Sequence, residues 1–379
     1  MSLAHPQRTL VQIINTGLEK HGSYEDFMIE LARQSRGRGI DLHFIFPAVG
    51  TPMVAERIEQ EGARVWVVPH PWSSRDGARR IIKTLEQIRP QAADVHYNGA
   101  GAFLLVYLYC RTRRIRTSLH YHGEIRPLGT LRWRNRHVSS LRLLSWFANR
   151  YITVSQANAR FLDALRVRRP ADVIYNGVDV ERLSRQAVPK AATSTIRLVS
   201  IGSIIPRKRV DILIRAFAIV RARTPNVQLT IIGGGSEELA CKALVEQLGL
   251  HDAVTLAGLL GAYPSDLLSA ADVFVSASES ESFGLMFAEA MCFRLPVVAC
   301  AVGGIPEVVL NGTTGVLVRP NDVEAFAGAL QQLVDDPALR TRMGDEGFRH
   351  VSNSFDLAAR TGELLELLSR DLEPRDRLA

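Results

Sequence analysis

The feature that most constrains this 379-residue chain is an alternation of short strands with amphipathic helices that runs, lapses once and starts again. Apolar runs at 10–14, 42–46, 65–69, 93–97, 117–121 and 151–155 read as strands, and a loop over 17–23 leads into a helix expected over 24–34. Strands separated by helices pair in parallel and need both sheet faces covered, because a parallel connection crosses over through a helix. Over 183–195 the pattern gives way to Ser, Gln, Ala, Pro, Lys and Thr, a linker composition. It resumes with strands at 196–201, 227–232, 254–256, 273–276, 297–299 and 315–318, and a helix near 210–223. The predicted class is α/β, two doubly wound Rossmann-like domains facing across a cleft. The expected boundaries are 1–185, 186–355, and a C-terminal helix, 356–379, packing back on the first domain. Ligands of such sheets sit outside the carboxyl ends of the strands.

The longest apolar run, 103–110, is far short of the ~20 residues that cross a bilayer. The first seven residues lack the pattern of a signal peptide. Cys110, Cys241, Cys292 and Cys300 have neither metal nor redox spacing and read as buried thiols of a reducing cytosol. The expected location is cytoplasmic, with the inner face of the plasma membrane as a peripheral site. Charge divides by half: residues 1–189 hold 28 Lys+Arg against 16 Asp+Glu, the remainder 18 against 23. The excess is mostly arginine, at Arg111, Arg113, Arg114 and Arg116, then Arg126, Arg132, Arg134 and Arg136. Over 128–146 these arginines mix with Leu and Trp, which suits an anionic bilayer surface or, equally, an ordinary helix with its apolar face turned inward.

Glu281 and Glu289 bracket the turn from the strand at 273–276 into a helix-forming run. Their spacing brings both acids near one face of any helix built there. An acid in the loop, a helix start with its amides and a second acid on the helix suit an anionic, hydroxyl-rich ligand: amides for phosphate, carboxylates for sugar hydroxyls. After the strand ending at Ile201 comes Gly202-Ser203-Ile204-Ile205-Pro206-Arg207-Lys208. Lys208 at such a crossover reaches an incoming phosphate, or is simply part of a basic surface turn. Gly233-Gly234-Gly235 lets backbone approach a ligand or merely caps a strand, and Gly303-Gly304-Ile305-Pro306-Glu307 reads as a structural turn. In the first half, Gly22 opens a helix and His122 directly follows a strand.

In this order the pieces resemble the retaining glycosyltransferases of family 4, which have the GT-B fold. The family's Gly, turn and Lys, then a Gly-rich turn, Glu-x7-Glu and Gly-Gly-x-Pro-Glu fall on Gly202 to Lys208, 233–235, Glu281 to Glu289, and Gly303 to Glu307. Tyr175-Asn176-Gly177-Val178-Asp179 and Val154-Ser155 match turns of the family's first domain. The match is ordered over about 150–320 and looser before it, as expected if the second domain binds a shared donor and the first an individual acceptor.

The resemblance implies transfer of a sugar from a nucleotide diphosphate sugar with retained configuration, to a glycan or lipid-linked acceptor of cell-surface polysaccharide or glycolipid synthesis. It puts Lys208 on the diphosphate and Glu289 on the ribose. Glu281 and the amides of Ser282, Phe283, Gly284 and Leu285 would hold donor sugar and phosphate. His122 would contact the sugar near the reacting centre and Gly22 the phosphate, so Glu281 and His122 are the implied catalytic pair. Gly234 belongs to the donor loop. Many family members carry Arg where this chain has Ser203, and Arg207 or Arg209 is then the second positive charge. No cofactor and no metal are expected, the nucleotide sugar being a substrate. The alternatives are an epimerase or phosphorylase on the same scaffold, and a nucleic-acid binder using the basic half. Against the last, the arginines lack interleaved aromatic platforms, so no nucleic-acid partner is expected.

Overall fold

The computed structural model describes residues 8–15, 22–48, 52–69, 74–97, 103–123, 141–168, 170–188 and 193–373. Residues 17–21 of the loop expected over 17–23 and most of the basic stretch, 124–140, lie outside the described residues. The chain divides into two compact units, Met1–Gly177 with Leu357–Ala379, and Val178–Asp356.

Unit 1 is built on seven parallel strands: β1 (Arg8–Ile14), β2 (Ile40–Phe46), β3 (Arg64–Val67), β4 (Ala92–Tyr97), β5 (Arg116–Tyr121), β6 (Arg150–Thr153) and β7 (Asp172–Val173). Their spatial order is β3-β2-β1-β4-β5-β6-β7. Successive side chains of β1 serve opposite faces: Val11 and Ile13 enter one core, Leu10 and Ile14 the other. The first core takes Ile81 and Leu85 from helix Arg75–Ile88 and Val106 from helix Phe103–Thr112. The second takes Met28 and Leu31 from helix Ser23–Gly37 and Leu364, Leu365 and Leu368 from helix Leu357–Ser369. Asp371, just past that last helix, pairs at 3.3 Å with both Arg116 and Arg150 of the sheet.

Unit 2 has six parallel strands, β8 (Ile196–Ile201), β9 (Val227–Ile232), β10 (Val254–Gly258), β11 (Val273–Ser276), β12 (Val297–Cys300) and β13 (Gly315–Val318). Their order is β10-β9-β8-β11-β12-β13. Leu213 and Phe217 of helix Val210–Arg223 and Leu330 and Leu333 of helix Val323–Asp335 fill one core against this sheet. Strand order reverses once in each sheet, between β1 and β4 and between β8 and β11, the position at which open α/β sheets take ligands.

Several expected boundaries shift for local reasons. The strand expected to 155 stops at Thr153, because Ser155 turns to cap helix Gln156–Ala164, accepting from the Asn158 amide at 3.1 Å. The division between units falls at Gly177/Val178 rather than after 185. Residues 183–185, expected in the linker, lie in helix Val180–Arg185, which Asp179 caps by accepting from the Arg182 amide at 2.9 Å.

Candidate functional site

At the switch point of unit 2, β8 ends at Ile201 and the chain passes through Gly202 into a 3-10 turn, Pro206–Lys208. Its last residue, Lys208, is 8 % exposed, an unusual burial for a lysine. The explanation is Glu281, equally buried in the loop after β11, which accepts a hydrogen bond from Lys208 Nζ. Arg207 Nη1 stands 3.8 Å from the other carboxylate oxygen and donates to the Ser280 carbonyl at 3.4 Å. Two cations thus face one carboxylate, leaving one positive charge in excess where an anion would arrive. Arg209 is engaged elsewhere: Asp211 holds it through two hydrogen bonds of 3.0 and 2.9 Å, and Asn321 accepts a third. Of the two arginines offered as the second positive charge, Arg207 faces this site, and Ser203 is exposed.

Glu281 is fixed from behind. The Gly304 amide donates to its carbonyl at 3.0 Å, and a Cβ on Gly303 would lie 1.9 Å from the same oxygen. Gly303 adopts φ 52°, so the turn expected to be purely structural is the bed on which Glu281 rests. Gly233 plays the same part beneath the first loop, where a Cβ would sit 1.9 Å from the Gly202 carbonyl. Gly234 is under no such pressure; its added Cβ would meet only side-chain atoms of Glu238 and Leu259 at 3.3 Å and beyond.

Helix Leu285–Cys292 starts at Gly284, whose φ of 91° is left-handed, and no side chain caps it. An uncapped helix start carries amide hydrogens and the positive end of the helix dipole. Phe283 contributes only backbone, since its ring is 2 % exposed and packs edge-on against Phe355 at 5.2 Å. The helical-face argument for the two acids does not hold: Glu281 lies in the loop, and only Glu289 is on the helix. Glu289 is half-buried and accepts from the Tyr263 hydroxyl at 3.4 Å. Burial, then the Glu289 charge, push the Tyr263 hydroxyl far above its ordinary range, so it stays protonated as a donor.

In unit 1 the expected residues are His122 and Gly22. Gly22 is extended (φ −159°) at the start of helix Ser23–Gly37, where no side chain caps it. Glu25 and Asp26 occupy that first turn and oppose a second anion there. His122 follows β5 and stands in a group sequence reading missed. Its Nε2 is 2.9 Å from His96 Nδ1, and its ring stacks on His120 with centroids 4.3 Å apart. His96 and His120 are register partners on β4 and β5. Beneath them Asp94, fully buried, accepts from His120 Nδ1 at 3.1 Å and from Ser118 Oγ at 2.5 Å. Burial, reinforced by His120 and His96, holds His122 well below the usual imidazole range, and burial lowers His96. Burial alone would raise Asp94, but His120 and then His96 hold it well below the usual carboxylate range. Pairing of β4 with β5 is the signal that would have exposed the group.

Of the arginine-rich stretch the described residues show Leu141 and Leu144 buried, with Leu143 47 % and Trp146 61 % exposed. The Arg168 guanidinium lies 4.9 Å from the Trp146 ring centre. Among the described residues no helix is long and apolar enough to cross a membrane.

Two Rossmann-like units with an anion-ready loop cluster at one switch point are the architecture of the GT-B glycosyltransferases. The family profile Glycosyl transferases group 1 matches residues 183–350, and that of Glycosyltransferase Family 4 matches 25–182. A GDP-mannose-dependent alpha-(1-6)-phosphatidylinositol monomannoside mannosyltransferase of Mycolicibacterium smegmatis is 30 % identical over 348 residues, 85 % of this chain and 89 % of that protein. The chain belongs to glycosyltransferase family 4. A D-inositol 3-phosphate glycosyltransferase of Streptomyces avermitilis is 35 % identical over 196 residues, but the match spans 47 % of this chain and only 42 % of that relative's length. Among solved structures, Anabaena Alr3699/HepE in complex with UDP and glucose is similar with TM-score 0.79 and 23 % identity, covering 96 % of this chain and 100 % of that one. A glycosyltransferase from Rickettsia africae has TM-score 0.79 at 18 % identity, covering 97 % and 100 %.

Proposed function

We propose that the chain is a retaining glycosyltransferase that takes its sugar from a nucleotide diphosphate sugar. The observation that carries this reading is the buried Lys208–Glu281 pair beside the uncapped start of helix Leu285–Cys292 at the switch point of unit 2. Lys208, Arg207 and the amides of Ser282, Phe283, Gly284 and Leu285 take the diphosphate, Glu289 the ribose and Glu281 the sugar. His122 in unit 1 takes the role near the reacting carbon that the resemblance gives it, while the Glu25 and Asp26 carboxylates in the first turn after Gly22 weigh against the phosphate contact expected there. The bond from the anomeric carbon to the diphosphate breaks, the acceptor oxygen bonds that carbon on the same face, and the acceptor proton passes to the departing phosphate oxygen. Preorganised cations and amides stabilise the charge on that oxygen, a role that needs no metal.

The relative named for a phosphatidylinositol monomannoside supports a lipid-linked acceptor. The exposed Leu143 and Trp146 beside Arg168 support contact with an anionic bilayer from the cytoplasmic side. The epimerase, phosphorylase and nucleic-acid readings gain nothing from the family match. The test is incubation with UDP-, GDP- and ADP-sugars while following slow release of the nucleoside diphosphate. Release from one member of the panel, abolished in Lys208→Met, is expected; no release from any member would refute the reading.

A further inference from the structure

The histidine group of unit 1 has a property that a simple hydrogen-bonded cluster does not need. His96 Nε2 faces two acceptors, Gln12 Oε1 at 2.8 Å and Asp94 Oδ2 at 3.5 Å, which assigns its proton to Nε2 and leaves the lone pair on Nδ1. His120 Nδ1 faces Asp94 Oδ2, which assigns its proton to Nδ1 and leaves the lone pair on Nε2. The His96 Nδ1 lone pair accepts from His122 Nε2 at 2.9 Å and from the Tyr24 hydroxyl at 3.1 Å, so His122 moves its proton to Nδ1 when Nε2 coordinates an ion. One ligand-capable nitrogen from each of the three rings lies within 4.8 Å of the others. Back-side carboxylate and amide acceptors that fix the tautomer and leave the opposite nitrogen free to coordinate are the usual support behind metal-binding histidines.

We propose that His96, through Nδ1, and His120 and His122, through Nε2, bind a first-row transition-metal ion of the zinc type, with Asp94 and Gln12 as the residues that orient the imidazoles. Zinc–nitrogen bonds of about 2.0–2.1 Å in tetrahedral geometry put ligand nitrogens about 3.3 Å apart. The His96–His122 pair therefore opens by a few tenths of an ångström and His120 closes in, movements within reach of side-chain rotation. Imidazole nitrogens suit zinc, copper and nickel rather than calcium or magnesium. His96 and His120 are buried and His122 is half-buried, so the fourth position opens on the His122 side to water or an anion. The ion takes no part in sugar transfer. By holding His122 Nε2 it withdraws that nitrogen from any other partner and inhibits the reaction; this consequence, unlike the site itself, rests on the role proposed for His122.

The binding test needs neither donor nor activity. Chelator-stripped protein is titrated with Zn2+ by equilibrium dialysis and with Co2+ by visible absorption, and histidine-labelled protein is followed by NMR. One ion per chain is expected, with tetrahedral-type Co2+ bands and three of the ten histidine side chains shifted by Zn2+. His120→Asn and His96→Asn, checked for folding by circular dichroism, should each weaken binding by at least about tenfold, the low end for a disturbed metal shell. His251→Ala, an exposed histidine in unit 2, should leave it unchanged. Absence of stoichiometric binding, or equal affinity in His120→Asn, overturns the proposal. If a variant does not fold, the wild-type NMR decides: shifts confined to His96, His120 and His122 support the site, and any other pattern refutes it. Binding without inhibition of transfer would leave the metal site standing and remove His122 from the reaction.

Discussion

Substituting Lys208 by Met separates the two roles the buried pair plays. In the native protein Lys208 and Glu281 are each 8 % exposed. Removing one member of a buried pair costs about 3–5 kcal/mol because the other charge is left uncompensated. Here Arg207 remains 3.8 Å from Glu281 and offsets part of that cost, so a smaller loss of about 2–4 kcal/mol is expected. For a unit of this size that lowers Tm by about 4–16 °C. Turnover with the productive nucleotide sugar should fall by about 10²–10³ in kcat, the cost of deleting one preorganised charge-stabilising donor. The double variant Lys208→Met/Glu281→Gln should regain most of the lost stability, since the buried carboxylate is gone and Arg207 is partly exposed to solvent, but none of the turnover. Thermal melts followed by circular dichroism, and coupled detection of nucleoside diphosphate release, read the two effects separately. The reasoning is refuted if Lys208→Met keeps kcat within about threefold of wild type, under 1 kcal/mol of barrier, or if the double variant recovers turnover along with stability.

Gly303→Ala should destabilise by more than the about 1–2 kcal/mol of a left-handed non-glycine residue, because its Cβ would meet the Glu281 carbonyl at 1.9 Å. It should also raise KM for the donor. Gly312→Ala has φ 77° with open space around it, so thermal melts should show the backbone strain while donor KM is unchanged. Tyr263→Phe removes the hydroxyl that holds Glu289 at 3.4 Å, a loss of about 0.5–1.5 kcal/mol, and donor KM should rise about 2- to 10-fold at constant kcat in steady-state assays. Burial pushes Cys110 and Cys300 up to about 12 and Cys241 up to about 11, and raises Cys292 as well. A thiol reagent at pH 8 should therefore label none of the four in folded protein and all four after unfolding, as counted by mass spectrometry.

The parallel-sheet architecture was legible because short runs rich in apolar residues alternate with helical patterns: 227–232, 273–276 and 315–318 are found where the pattern placed them. The edge strand β7, two residues long, gives no periodicity to read. Lys208 and Glu281 were each visible as polar residues at strand ends, but their pairing was not, since it depends on β8 and β11 being neighbours in space. The same holds for His96 and His120, whose approach follows from the β4–β5 register. Arg207 and Arg209 are alike in sequence, and it is their contacts that distinguish them, Arg207 with Glu281 and Arg209 with Asp211 and Asn321. The function of Gly303 as a support for Glu281 was hidden because the two residues are far apart along the chain and meet only through backbone.

The central claim is that a nucleoside diphosphate is gripped at the Lys208–Glu281 loops of unit 2. Titration calorimetry of wild type and the Lys208→Met/Glu281→Gln variant with UDP, GDP and ADP tests it most directly. The account predicts a binding isotherm for at least one of the three with wild type and its loss in the folded variant; heat from none of them, or equal affinity in both proteins, would contradict it.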